Sequence, residues 1–77
     1  MKVRWLLQSG PNNSHLWDND FYDRKKDAIA AAENLPLAPD GRARPYVIRR
    51  LKYHPVNSVF DKIEETIVIQ NLREFLQ

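Results

Sequence analysis

The sequence predicts a small α+β domain in which one helix covers one face of an antiparallel sheet. The order is hairpin, helix, hairpin (ββαββ). Three observations carry this reading. Residues 23–35, DRKKDAIAAAENL, hold the clearest helical repeat in the chain. Segments of strand composition flank them on both sides. Clusters of Gly, Pro, Asn and Ser separate those segments as turns do. The runner-up replaces the last strand with a C-terminal helix.

Residues 2–8 alternate. Val3, Trp5 and Leu7 share one side, and Lys2, Arg4, Leu6 and Gln8 share the other. Leu6 breaks the polar side, which suits a central strand covered on both faces. Residues 9–14, SGPNNS, form the clearest turn. Residues 15–22 follow as a short, irregular edge strand returning antiparallel to the first. Asp18-Asn19-Asp20 interrupts its apolar residues.

Asp23 is the expected N-cap, since its carboxylate can accept a hydrogen bond from a free N–H of the first turn. Ala28, Ile29, Ala32 and Leu35 then fall on one face. A stripe so rich in alanine lets the helix lie close to the sheet. Pro36 is the expected stop, because it lacks a donor and restricts the residue before it.

Residues 37–44 read as a loop, with Asp40-Gly41 as a turn dipeptide. Residues 46–53 form the third strand. Tyr46, Ile48, Arg50 and Lys52 alternate with Val47, Arg49, Leu51 and Tyr53. The expected inward set is Val47, Leu51 and Tyr53, with Arg49 near an end where it can snorkel. Residues 54–58 read as a turn. Residues 59–72 read as a strand because of the β-branched run Thr66-Ile67-Val68-Ile69. The helical alternative there rests on Ser58-x-x-Asp61, which resembles a capping box. Residues 73–77 read as a terminal turn or tail.

Seventy-seven residues make one domain, 1–77, with a modest core. There is no cysteine, so disulfides and thiolate metal sites are excluded. No apolar run approaches the roughly 20 residues of a membrane span. A cytoplasmic location without membrane association is the expectation, and no cofactor is expected.

The formal net charge is +2, unevenly spread. Residues 1–36 carry five bases and five acids. Residues 37–57 carry Arg42, Arg44, Arg49, Arg50 and Lys52 against Asp40 alone. Residues 58–77 carry two bases and four acids. A basic middle beside an acidic end fits either internal pairing or a basic binding face.

Two binding surfaces follow, each weighed against a structural explanation. Arg24, Lys25 and Lys26 crowd the helix entry, where the dipole favours acids, and could hold phosphate. Asp20, Asp23 and Asp27 stand close enough in sequence to neutralise them. Arg42, Arg44, Arg49, Arg50 and Lys52, interleaved with Tyr46 and Tyr53, could form a basic-aromatic sheet face for nucleic acid. Arg4 would join if the first and third strands pair. The structural explanation is cross-strand pairing of Arg49, Arg50 and Lys52 with Asp61, Glu64 and Glu65.

Trp17, among polar neighbours, divides evenly between core and interface, and Tyr22 beside the helix entry is a second candidate contact for a partner protein. His15 and His54 read as loop histidines rather than metal ligands. Asp18, Asp20 and Asp23 lack the glycine and final Glu of a calcium loop. Only Ser9, Ser14 and Ser58 could serve as hydroxyl nucleophiles of the serine type, and none sits in a nucleophile elbow.

The expected function is non-enzymatic. The chain reads as a small interaction module, of accessory or regulatory type, docking on a partner protein. In texture it looks like the compact accessory proteins of bacteria or phages. The alternative is a nucleic-acid-binding module using the basic-aromatic face. A homodimer is a further expectation, since an uncovered sheet face or edge strand would seek a partner.

Overall fold

The structure, a computed structural model, describes residues 2–12, 14–56 and 60–72. It contains four strands and one helix: β1 (Lys2–Ser9), β2 (Asp18–Tyr22), α1 (Lys25–Glu33), β3 (Tyr46–Val56) and β4 (Phe60–Asn71). The strands form one antiparallel sheet in the order β2-β1-β3-β4. The ββαββ order is as the sequence predicts. β1 is central, which explains why both faces of it carry leucine: Leu6 and Leu7 are both buried.

Side chains alternate across the sheet, so paired residues share a face. Trp5, Leu7, Tyr22, Tyr46, Ile48 and Ile69 lie on the helix side, packed with Ala28, Ile29, Ala31 and Ala32 of α1. Leu7 and Ile48 are paired at the centre and have 1% and 0% exposure. Ala28 is buried to 0% directly against this cluster. The short alanine side chains permit that close approach, as the helical repeat implies.

Several boundaries differ from the sequence expectation. Asp23 is not the N-cap. Arg24 occupies that position with extended backbone (φ −128, ψ 142) and makes no side-chain capping bond. Asp23 instead lies 3.9 Å from Arg4 Nε, because Trp5 pairs with Tyr22 and the next residues across the ladder are Arg4 and Asp23. At the other end the helix stops at Glu33, before Pro36. Asn34 closes it: its backbone N–H bonds the carbonyls of Ala30 and Ala31, and its Nδ2 donates to Ala30 O at 2.8 Å. An asparagine side chain competes with helical continuation in this way.

The second strand is shorter than 15–22. Asp18-Asn19-Asp20, expected as an interruption, belongs to the strand, and His15 turns back on Asn12 instead. Gly10 is required at this turn. A Cβ there would lie 1.5 Å from the His15 carbonyl oxygen.

β3 runs on through His54, Pro55 and Val56, so these residues of the expected turn at 54–58 are strand, and 57 and 58 lie outside the described residues. The cause is the ladder with β4, which continues to Val56 opposite Phe60. β1 ends at Lys2, opposite Tyr53, so Pro55 lies on a stretch of β3 with no neighbour on that side among the described residues. Proline is tolerated at such an edge.

β4 is a strand, and the helical alternative built on the capping box is overturned. Its β-branched run pairs with the first half of β3, with a bulge between Ile48 and Arg49 that leaves Val68 outside the pairing. Residues 73–77 lie outside the described residues.

The expected inward face of β3 also needs correction. Tyr46 and Ile48, not Val47, Leu51 and Tyr53, face the helix. Val47 and Leu51 are nevertheless buried, at 4% each, on the opposite side of the sheet. Tyr53 is half-buried. Arg49 sits mid-sheet rather than near an end, opposite Leu6.

Candidate functional site

Among the described residues the helix occupies one face of the sheet, and the other face carries no helix. On this second face a row crosses all four strands: Phe21 on β2, Leu6 on β1, Arg49 on β3 and Ile67 on β4. The neighbouring row holds Arg4, Leu51 and Glu65, and beyond it lie Lys2, Tyr53 and Ile63. Phe21, Ile63 and Ile67 are 47%, 50% and 53% exposed. The floor between them is Leu6, Val47 and Leu51, all three buried.

Four polar residues of this face, Arg49, Gln8, Asn19 and Glu65, are tied to one another. Arg49 Nε donates to Gln8 Oε1 at 2.7 Å, and its Nη1 lies 3.7 Å from Glu65 Oε2. Gln8 Nε2 in turn donates to Asn19 Oδ1 at 3.0 Å. The Arg4 guanidinium lies 5.1 Å from the centre of the Phe21 ring. A guanidinium stacked on an aromatic ring is held for contact without losing its charge. Such a face combines apolar area with an oriented arginine, the composition of interface anchors.

The expected partner contacts divide. Trp17, immediately before β2, is 66% exposed, so the even division between core and interface resolves as exposure. It is fixed by an edge-on contact with His15 and by Asn19 Nδ2, which donates to its carbonyl. Tyr22 lies on the helix side, packed against the core.

The basic-aromatic row is not assembled. Tyr46, Arg50 and Lys52 share the helix face, but Tyr46 packs against the core there. Arg4 pairs with Leu51 and therefore lies on the opposite face, although β1 and β3 do pair. Arg49 shares that opposite face and takes Glu65, as the cross-strand explanation anticipates. Arg50 and Lys52 are registered opposite Thr66 and Glu64. Glu64 lies 3.4 Å from His54 Nε2, so His54 is a strand residue and not a loop one.

The remaining bases are dispersed. Arg24, Lys25 and Lys26 are all exposed at the helix entry. Among the described residues no ion pair joins them to Asp20, Asp23 or Asp27. Arg42 is exposed in the loop, and Arg44 Nε donates to Pro36 O at 3.0 Å. Arg44 borders an open cleft of about 290 Å³ between the helix end, the loop and the ends of β3 and β4. Gly41 turns this loop with φ +84.

No match locates this arrangement in a known family. The chain matches no protein-family model, and no curated protein or solved structure is detectably similar to it. Among the described residues no group of three His, Cys, Asp or Glu side chains could hold a metal ion. No helix among them is long and apolar enough to cross a membrane.

The face was only partly legible from sequence. Leu6 is the one signal singled out, as an apolar residue on the wrong side of β1. Phe21 follows from the same logic, because it alternates with Tyr22, but a five-residue strand is too short to declare its period. Ile63 and Ile67 sit four residues apart, a spacing shared by helix and strand.

Proposed function

We propose that the protein is a small docking module that binds a partner protein through the sheet face opposite the helix. The observation that carries this reading is the row Phe21, Leu6, Arg49 and Ile67, with both of its ends about half exposed. Phe21, Ile63 and Ile67 leave large apolar side chains about half exposed on this face, and exposed apolar groups rimmed by polar residues are a feature of interaction sites. Here Arg49, Gln8, Asn19 and Glu65 already pair among themselves, whereas Arg4 Nε is buried without a hydrogen-bond partner among the described residues. Desolvating a satisfied group costs less than desolvating an orphan. Arg4 over Phe21 supplies the anchor at the β2 end of the row, and Trp17 extends the contact past the start of β2.

The test is affinity capture from cells of the source organism with nuclease present throughout. Wild type is compared with Phe21→Asp, Ile67→Asp and a charge reversal of Arg24, Lys25 and Lys26. The reading expects one protein to be captured by wild type and by the charge-reversed chain, and lost with either sheet-face variant. Equal capture by all four chains would remove the sheet face from consideration. The nucleic-acid alternative makes a different demand: binding of DNA or RNA that falls steeply between about 50 and 200 mM salt. Its support is the exposed Arg24, Lys25 and Lys26 group, which among the described residues makes no ion pair with Asp20, Asp23 or Asp27.

A further inference from the structure

The helix side of the sheet holds a feature that the docking reading does not use. The open cleft of about 290 Å³ lies between the end of α1, the loop joining α1 to β3, and the ends of β3 and β4. Its volume falls at the small end of the range for ligand sites, roughly 300–1,000 Å³. The loop that walls it is built to hold one shape. Pro36, Pro39 and Pro45 restrict its backbone, and Pro45 is fully buried. The Ala38 N–H bonds the Arg42 carbonyl at 2.8 Å, and the Gly41 N–H bonds the Ala38 carbonyl at 2.8 Å. The Arg42 N–H bonds Asp40 Oδ1 at 3.1 Å. Ala38 is buried, which fixes the loop to the body of the protein. A wall that is already ordered loses little freedom when a ligand binds.

The chemistry of the cleft is dipolar. Leu35, Leu37, Ala43 and Tyr46 supply apolar wall, and Leu37 is left exposed. Glu33 and Arg44 border the same cleft with opposite charges. Among the described residues neither belongs to an ion pair, so they do not neutralise each other. Arg44 is positioned by its Nε, which donates to Pro36 O at 3.0 Å and leaves the Nη end of the fork for a ligand. Glu33 is the last residue of α1, where the helix dipole is negative. The helix end of the cleft therefore favours a cation, and the Arg44 side favours a carboxylate.

We infer that this cleft binds a free α-amino acid with an apolar side chain. Its ammonium meets Glu33 and the helix end, its carboxylate meets the Arg44 guanidinium, and its side chain lies on Leu35 and Leu37. A simple anion is opposed by Glu33 and the helix dipole, and a simple cation is opposed by Arg44. A small zwitterion satisfies both ends at once, through charge-assisted hydrogen bonds. The inference does not depend on what the opposite sheet face binds.

Titration of the full ¹⁵N-labelled chain with L-leucine, followed by nuclear magnetic resonance, tests it. The expected result is a saturable shift of the amide signals of Glu33, Leu37, Ala43 and Arg44, with a dissociation constant on the order of 1 mM. N-acetyl-leucine lacks the ammonium and leucinamide lacks the carboxylate. Each is expected to bind roughly tenfold more weakly, the loss of one charge-assisted contact. Arg44→Gln should bind leucine and leucinamide alike, and Glu33→Gln should bind leucine and N-acetyl-leucine alike. No saturable shift up to about 20 mM leucine would overturn the inference. Equal binding of all three ligands by wild type would also overturn it, as would shifts centred on Leu6, Phe21 and Ile67. The three ligands are compared on the wild-type chain, so a variant that fails to fold leaves the test standing. Phe21→Asp and Ile67→Asp lie on the other face and should bind leucine as wild type does, so the cleft and the docking surface stand or fall separately.

Discussion

Ile48 is the residue on which the helix side depends. It is wholly buried, lies opposite Leu7, and belongs to the cluster that receives Ala28 and Ala32. Truncation to Ala removes contacts to helix and strand together. Denaturant unfolding of Ile48→Ala should show a loss of about 2–5 kcal/mol. Gly10 acts through the backbone. A Cβ at 1.5 Å from the His15 carbonyl cannot be accommodated without moving the turn. Gly10→Ala should destabilise by about 1–3 kcal/mol, the range for forced overpacking. Phe21 is the opposite case. Its ring is 47% exposed and its specific contact is the Arg4 guanidinium. Phe21→Ala should cost less than about 1 kcal/mol in unfolding, since a single exposed cation–π contact is worth no more. A larger loss would mean that Phe21 belongs to the core. The alanine stripe was legible in the sequence because helical spacing survives any tertiary context. The burial of Val47 and Leu51 on the face away from the helix was not, because alternation in β3 places Arg or Lys on both sides.

At the scale of elements, α1 is the least well terminated part of the molecule. Arg24 stands where Ser, Thr, Asp or Asn would cap, and it makes no side-chain capping bond. Arg24→Asp supplies an acceptor and a charge of the favourable sign. It should stabilise the protein by about 0.5–2 kcal/mol in thermal or denaturant unfolding. If stability falls instead, Arg24 has a structural contact that outweighs the cap. The displaced cap shows why helix ends were less legible than helix identity. Asp23 satisfies every local rule for an N-cap, yet the β1–β2 ladder sets it opposite Arg4. Asn34 likewise ends the helix through its own side chain, ahead of the more conspicuous Pro36. The last strand was legible through its β-branched run. Its length was not, because Pro55 reads as a turn until the edge position that tolerates it is known.

The whole molecule is an elongated plate of 48 × 24 × 16 Å. Its long dimension comes from β3 and β4, which continue past the end of β1. One side is finished by the helix. The other side has a buried floor of Leu6, Val47 and Leu51 and exposed ends at Phe21 and Ile67. That asymmetry supports docking through the unfinished side. The sequence announced the unfinished side only through Leu6, since the face depends on register between four strands and no single strand carries it. The most direct test is site-specific photo-cross-linking in cells. Benzoyl-phenylalanine is placed at position 21 on the sheet face, or at position 30 on the exposed outer side of the helix. The account predicts a discrete protein adduct from position 21, absent from position 30 and abolished when Ile67→Asp is added. An adduct formed from position 30 and not from position 21 would contradict it.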